Sequence, residues 1–142
     1  MDLRPLDDTT LVAPMIDPSD MADLARAGVT TVICNRPDAE VPPSHGSEAM
    51  RAAAGAAGLD YLFNPIAGMG LTLEAVEAQA AAIDGAAGKV VAYCASGTRS
   101  AVLWAMAQAG RRPVDEILAA TARAGYPLDG LRGQIERLED GA

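Results

Sequence analysis

Apolar residues fall in short blocks separated by polar turns, and the blocks have two characters. Residues 29–34, Val-Thr-Thr-Val-Ile-Cys, are β-branched and continuous, which predicts a buried strand of the parallel type. Residues 59–64 predict another strand, stopped by Pro65, and residues 89–93 one more, also unbroken in apolarity. Residues 10–16 predict the first strand, and Pro14, which lacks a ladder donor, suggests that it lies at an edge. Between these blocks the spacing becomes helical. Asp17 and Pro18 suit the N-cap and first position of a helix whose face carries Met21, Leu24 and Ala25, with Gly28 at its C-terminal turn. Ser47 and Thr72 cap alanine-rich helices that run to about Gly58 and Gly85. Residues 100–110, 114–124 and 128–139 read as three more, broken at Gly110, Gly125 and Pro127. Strands alternating with helices predict a single α/β domain, a central and mainly parallel sheet of four to five strands flanked by helices. Ligands of such sheets sit at the carboxyl ends of the strands, here the loops after Cys34, Asn64 and Cys94.

Composition narrows the choice of partner. With 142 residues, 50% hydrophobic and 21% charged, the chain has the balance of one folded domain, and no linker or low-complexity tract divides it. Eleven basic against nineteen acidic residues leave a formal charge of −8. That argues against nucleic acid or an anionic membrane as partner and leaves room only for a local basic pocket that takes an anion. No apolar run approaches a membrane span, and the acidic first residues do not read as a signal peptide, so a cytoplasmic domain is expected. Two cysteines and one histidine make neither a disulfide scaffold nor a zinc set, and no cofactor is expected.

The chemistry concentrates in residues 90–100, Val-Val-Ala-Tyr-Cys-Ala-Ser-Gly-Thr-Arg-Ser. A buried strand ends at Cys94, and a helix opens at Ser100. The backbone N–H groups of Ala95, Ser96, Gly97 and Thr98 can converge on an anion, helped by the helix N-terminus. The same field favours a thiolate nucleophile at Cys94. Gly97 permits a backbone angle that a Cβ opposes. Arg99 offers a planar fork to two oxygens of a tetrahedral anion, and Ser100 is placed to hydrogen-bond the thiolate as it leaves.

This loop resembles those of the cysteine-dependent phosphatases and of the rhodaneses. With residues 32–40 (VICNRPDAE) and 57–66 (AGLDYLFNPI), the chain resembles the phosphatase-like domain of the beta-lactamase hydrolase-like family, over most of its length. The resemblance implies a dual-specificity-phosphatase fold and a covalent phosphocysteine on Cys94. Two departures keep other readings open. Phosphatase loops of this kind have five residues between Cys and Arg, and here there are four, as in the short rhodanese loops. The alternative is therefore a sulfurtransferase that carries a persulfide on Cys94, so the expected substrate is a phosphate- or sulfur-bearing oxyanion. Phosphatases also draw a proton from an aspartate on a neighbouring loop, yet residues 65–71 contain no carboxylate. Asp38 or Glu40 is the substitute; failing both, only substrates with good leaving groups react, or the domain binds or senses oxyanions without turnover. Arg36 is read as a second anion contact or, alternatively, as a local partner of Asp38 that stiffens a Pro-bearing turn. Cys34 is either a buried structural residue or a resolving thiol for Cys94, and His45 is a solvated loop residue.

Overall fold

A computed structural model describes residues 1–68 and 70–141. Five strands form one sheet in the order β1-β2-β5-β3-β4: β1 (Arg4–Pro5), β2 (Thr10–Ala13), β3 (Val29–Cys34), β4 (Asp60–Phe63) and β5 (Lys89–Tyr93). All neighbours are parallel except β1 and β2. The most apolar strand, β5, lies at the centre, where both faces are covered.

The helices are α1 (Met21–Arg26), α2 (Ser47–Ala56), α3 (Leu73–Gly85), α4 (Thr98–Ala107), α5 (Val114–Arg123) and α6 (Arg132–Asp140). On one face of the sheet, Met21, Leu24, Met50 and Ala54 of α1 and α2 pack with Val32, Val91 and Tyr93. On the other, α3 to α6 build the larger layer around Trp104, Leu103, Ile117 and Ile135, each fully buried. α4 is the inner helix of that layer, and every residue from Ser100 to Ala107 is buried. Truncating a side chain such as Trp104 there costs about 3–5 kcal/mol.

Three expectations change in detail. β2 is shorter than 10–16 and is not the edge: Arg4–Pro5 pairs antiparallel on its outer side, and Pro14 ends the strand instead of marking a border. The helix after Asp17 opens as a 3₁₀ turn over Pro18–Asp20, where the Asp20 carboxylate accepts the Asp17 N–H at 2.8 Å. The last helix begins only at Arg132, after a 3₁₀ turn at Asp129–Leu131. Thr72 caps α3 as its sequence suggests, accepting the Ala75 N–H at 3.1 Å. The loop after Asn64, expected at the active face, contains Met69, which lies outside the described residues. Among the described residues, no helix is long and apolar enough to cross a membrane.

Candidate active site

Cys94 follows directly on β5 and is almost completely buried. Its Sγ accepts the N–H of Gly97 at 3.1 Å. Gly97 is the N-cap of α4, with φ +93°, a left-handed conformation that only glycine adopts without strain. The loop is held from outside by its carbonyls. Ala95 O accepts the Met15 N–H at 3.3 Å, and Ser96 O accepts the Tyr126 hydroxyl at 2.9 Å. The Ser96 hydroxyl donates to Thr98 Oγ1 at 2.9 Å and accepts the Thr98 N–H at 3.3 Å, closing the turn on the solvent side. Turning carbonyls outward leaves the N–H ends of the same peptides for the interior, where the first turn of α4 adds its own unpaired donors.

Arg99 stands over this loop with three of its five donors engaged. Nη1 donates to Glu40 Oε2 at 3.0 Å and to Ile66 O at 2.9 Å, and Nη2 donates to Glu40 Oε1 at 2.8 Å. The remaining Nε–H and second Nη2–H form the other edge of the guanidinium, the parallel pair that matches two oxygens of a tetrahedral anion. Glu40 is gripped a second time, by Arg36 Nε at 3.2 Å. The Arg99 and Arg36 guanidiniums hold the Glu40 carboxyl below the usual carboxylate range, the Arg99 hydrogen bonds being the main cause. Arg99 is correspondingly pushed up by Glu40, with a further contribution from the nearby Cys94 sulfur.

Other residues singled out in the sequence stand differently. Asp38 caps the start of α2: Oδ1 accepts the Ser47 N–H and Oδ2 the Ser47 hydroxyl, both at 2.7 Å. The carboxylate that meets Arg99 is Glu40, two residues on. Arg36 turns to Glu40 and to Met15 Sδ, at 3.3 Å from the latter, and meets Arg99 through the shared Glu40 carboxylate. The Ser100 hydroxyl donates to Asn35 Oδ1 at 2.8 Å, so the hydrogen expected on Cys94 is spent on a carboxamide. Cys34 packs in the layer of α1 and α2, opposite to α4, and its thiol donates to Arg36 O at 3.3 Å. Burial pushes the phenols of its neighbours Tyr61 and Tyr93 well up. His45 is tied to Asp17 at 2.6 Å, away from the loop.

The residues that sequence reasoning passed over are structural partners of this loop. Asn35 is fully buried and saturated: Nδ2 donates to Asn64 O and Gln79 Oε1, both at 2.9 Å, and Oδ1 accepts Gln79 Nε2 at 3.1 Å besides Ser100. Gln79 also accepts from Asn64 Nδ2 at 2.9 Å. A glutamine on the same helical face as Ala75 and Val76 was the available signal, since a polar residue there must find a buried partner. Tyr126 had no local signal at all, because its relation to the loop is made only by the packing of α5 against α4.

Comparisons with known proteins bear on the family and the fold. Residues 2–111 match the family model described as the phosphatase-like domain of beta-lactamase hydrolase-like protein. The beta-lactamase hydrolase-like protein of Xylella fastidiosa (strain 9a5c) is 37% identical over 117 residues, 81% of this chain and 27% of that protein. The chain thus spans about a quarter of the length of the curated relatives it matches. The crystal structure of a candidate phosphatase from Neisseria meningitidis Z2491 shares 30% identity at TM-score 0.80, covering 97% of this chain and 99% of that one. Tk-PTP in its active form also aligns at TM-score 0.80, over 99% and 98% of the two chains; at 18% identity this likeness speaks for the fold alone. A parallel sheet that delivers a cysteine, a four-residue loop and an arginine to the start of a helix is therefore found in a chain that belongs to the beta-lactamase hydrolase-like family, as its phosphatase-like domain.

Proposed function

We propose that the domain is a cysteine-dependent phosphatase acting on phosphate esters whose leaving groups depart without a proton. The supporting observation is the Gly97 N–H on Cys94 Sγ at the N-terminus of α4, with Arg99 near enough to feel the Cys94 sulfur. A phosphate seated in the loop accepts two hydrogen bonds from the Arg99 Nε/Nη2 edge and others from inward N–H groups. The Cys94 thiolate attacks phosphorus, the S–P bond forms, and the ester P–O bond breaks with its electron pair leaving on oxygen. Charge on the equatorial oxygens is met by donors already in place. Water then attacks phosphorus, the S–P bond breaks, the thiolate is restored, and inorganic phosphate leaves with the water proton passed to solvent.

The leaving-group restriction follows from three carboxylate facts. Residues 65–71 contain none, Asp38 is engaged with Ser47, and Glu40 is held ionised between two arginines. An ionised carboxylate is no proton donor, so aryl and acyl phosphates are the favoured class and simple alkyl phosphates the poor one. The four-residue spacing of the loop is the observation that favours a sulfurtransferase instead. The deciding experiment measures p-nitrophenyl phosphate hydrolysis and thiosulfate-to-cyanide sulfur transfer on one purified sample, with Cys94→Ser as blank. Cys94-dependent hydrolysis is expected; Cys94-dependent thiocyanate formation with no hydrolysis overturns the phosphatase reading.

A further inference from the structure

Gly97 creates a difficulty that the loop itself does not solve. Its left-handed φ is needed to swing the chain from Cys94 into α4. A glycine at that place also lets the preceding peptide rotate at little cost, because glycine populates positive and negative φ about equally. The Ser96–Gly97 peptide is a trans unit, so its C=O and N–H point in opposite directions. In the observed orientation the N–H faces Cys94 Sγ at 3.1 Å. In the flipped one, the Ser96 oxygen faces the sulfur and repels a thiolate. Gly97 has no side chain, and the Ser96 hydroxyl is engaged with Thr98, not with either end of this peptide.

Tyr126 does choose. Its hydroxyl donates to the outward Ser96 oxygen at 2.9 Å, at the opposite end of the same peptide. A Cβ built on Gly97 falls 2.0 Å from the Tyr126 oxygen, so the absence of a side chain at 97 is what admits the phenol. Tyr126 is 5% exposed, and the Arg4 guanidinium lies over its ring at 5.1 Å from the centroid. Burial raises the phenol above its ordinary range, which keeps the hydroxyl protonated and a donor. Tyr126 stands beyond residues 2–111, the part that matches the family model.

From this geometry we infer that Tyr126 is a positioning residue: it pins the Ser96–Gly97 peptide so that the Gly97 N–H stays on Cys94. The inference rests on the reading of Cys94 as nucleophile and extends it to a residue that never touches the substrate. The test is Tyr126→Phe, which keeps the ring and its stack with Arg4 and removes only the donor. Alkylation of Cys94 by iodoacetamide is followed across pH by peptide mass mapping, with Cys34 as internal reference and the thermal midpoint as a check of fold. In the wild type, Cys94 is alkylated faster than Cys34 at pH 6. In the variant Cys94 is alkylated roughly tenfold more slowly at pH 6, the equivalent of about 1.4 kcal/mol, while its high-pH plateau and the Cys34 rate are unchanged. Tyr126→Met, which also lacks the donor, moves the profile in the same direction. Coincident wild-type and Tyr126→Phe profiles overturn the positioning role and leave the nucleophile standing. A wild-type Cys94 no more reactive than Cys34 overturns both.

Discussion

Replacing Arg99 by lysine separates charge from geometry. The substitution keeps one positive charge and exchanges five donors in a planar fork for three on a rotating ammonium. In the structure, three of the five arginine donors already hold Glu40 and Ile66 O, and two are left for an anion. A lysine at 99 cannot serve both edges. Its ammonium settles against Glu40, the permanent carboxylate, and the two anion contacts are forfeited. Hydrogen bonds to charged groups are worth about 1.5–3 kcal/mol each. Two of them amount to about 3–6 kcal/mol, of which the remaining positive charge returns a part. A loss of about 3–4 kcal/mol in the transition state corresponds to roughly 10²–10³ in kcat/KM. The assay is p-nitrophenyl phosphate hydrolysis under subsaturating substrate, with thermal unfolding run in parallel. Stability should change little, since Arg99–Glu40 is partly solvated and such pairs contribute modestly. A variant within threefold of wild-type kcat/KM would show that the Arg99 fork does not meet the reacting phosphate, and the donor count above would have no bearing on catalysis.

Asp38→Asn removes the charge that caps α2 and should lower stability by about 1 kcal/mol, slowing aryl and alkyl phosphates by the same factor; a selective loss on alkyl phosphates in steady-state kinetics would restore Asp38 as proton donor. Because Glu40 is held below its ordinary range, the stability it lends is complete above about pH 4.5 and falls away as the pH drops further; acid unfolding of Glu40→Gln should lack that component, and an identical acid profile would contradict the pairing. Across a series of phosphate monoesters, kcat/KM should fall steeply as the leaving group becomes more basic, with alkyl esters at least about 10²-fold behind aryl ones; a flat dependence would reveal an acid that the carboxylate inventory has missed.

Local patterns carried much of the fold. The β-branched run at 29–34 and the apolar run at 89–93 coincide with β3 and β5, and the loop between β5 and α4 was recognisable because each residue type in it serves one chemistry. What escaped was non-local. β1 is two residues long and exists only because β2 is there to pair with it. The choice between Asp38 and Glu40 turned on which carboxylate the 3₁₀ turn at Asp38–Glu40 directs toward α4 and which toward Ser47. Its position after Arg99 alone points Ser100 at the sulfur. Its actual partner, Asn35, is 65 positions away. Tyr126 belongs to the same class: its hydroxyl meets the loop 30 positions back, and no period or motif encodes that meeting.

The saturated carboxamide of Asn35 has a consequence for how the domain comes together. Its partners lie on the segment after β4, on α3 and on α4, and its own backbone bonds to Tyr93 and Ile66. Until all of these segments have docked, a desolvated amide would be left with empty valences, which is costlier than leaving it in water. The knot therefore closes at the end of assembly, and it opens at the first step of any partial unfolding that loosens α3 or β4. A chain that has lost one peripheral element should lose the geometry around Cys94 with it, so catalytic competence and global cooperativity become a single property. Residual activity in a destabilised variant then counts native molecules; it does not measure a half-built site.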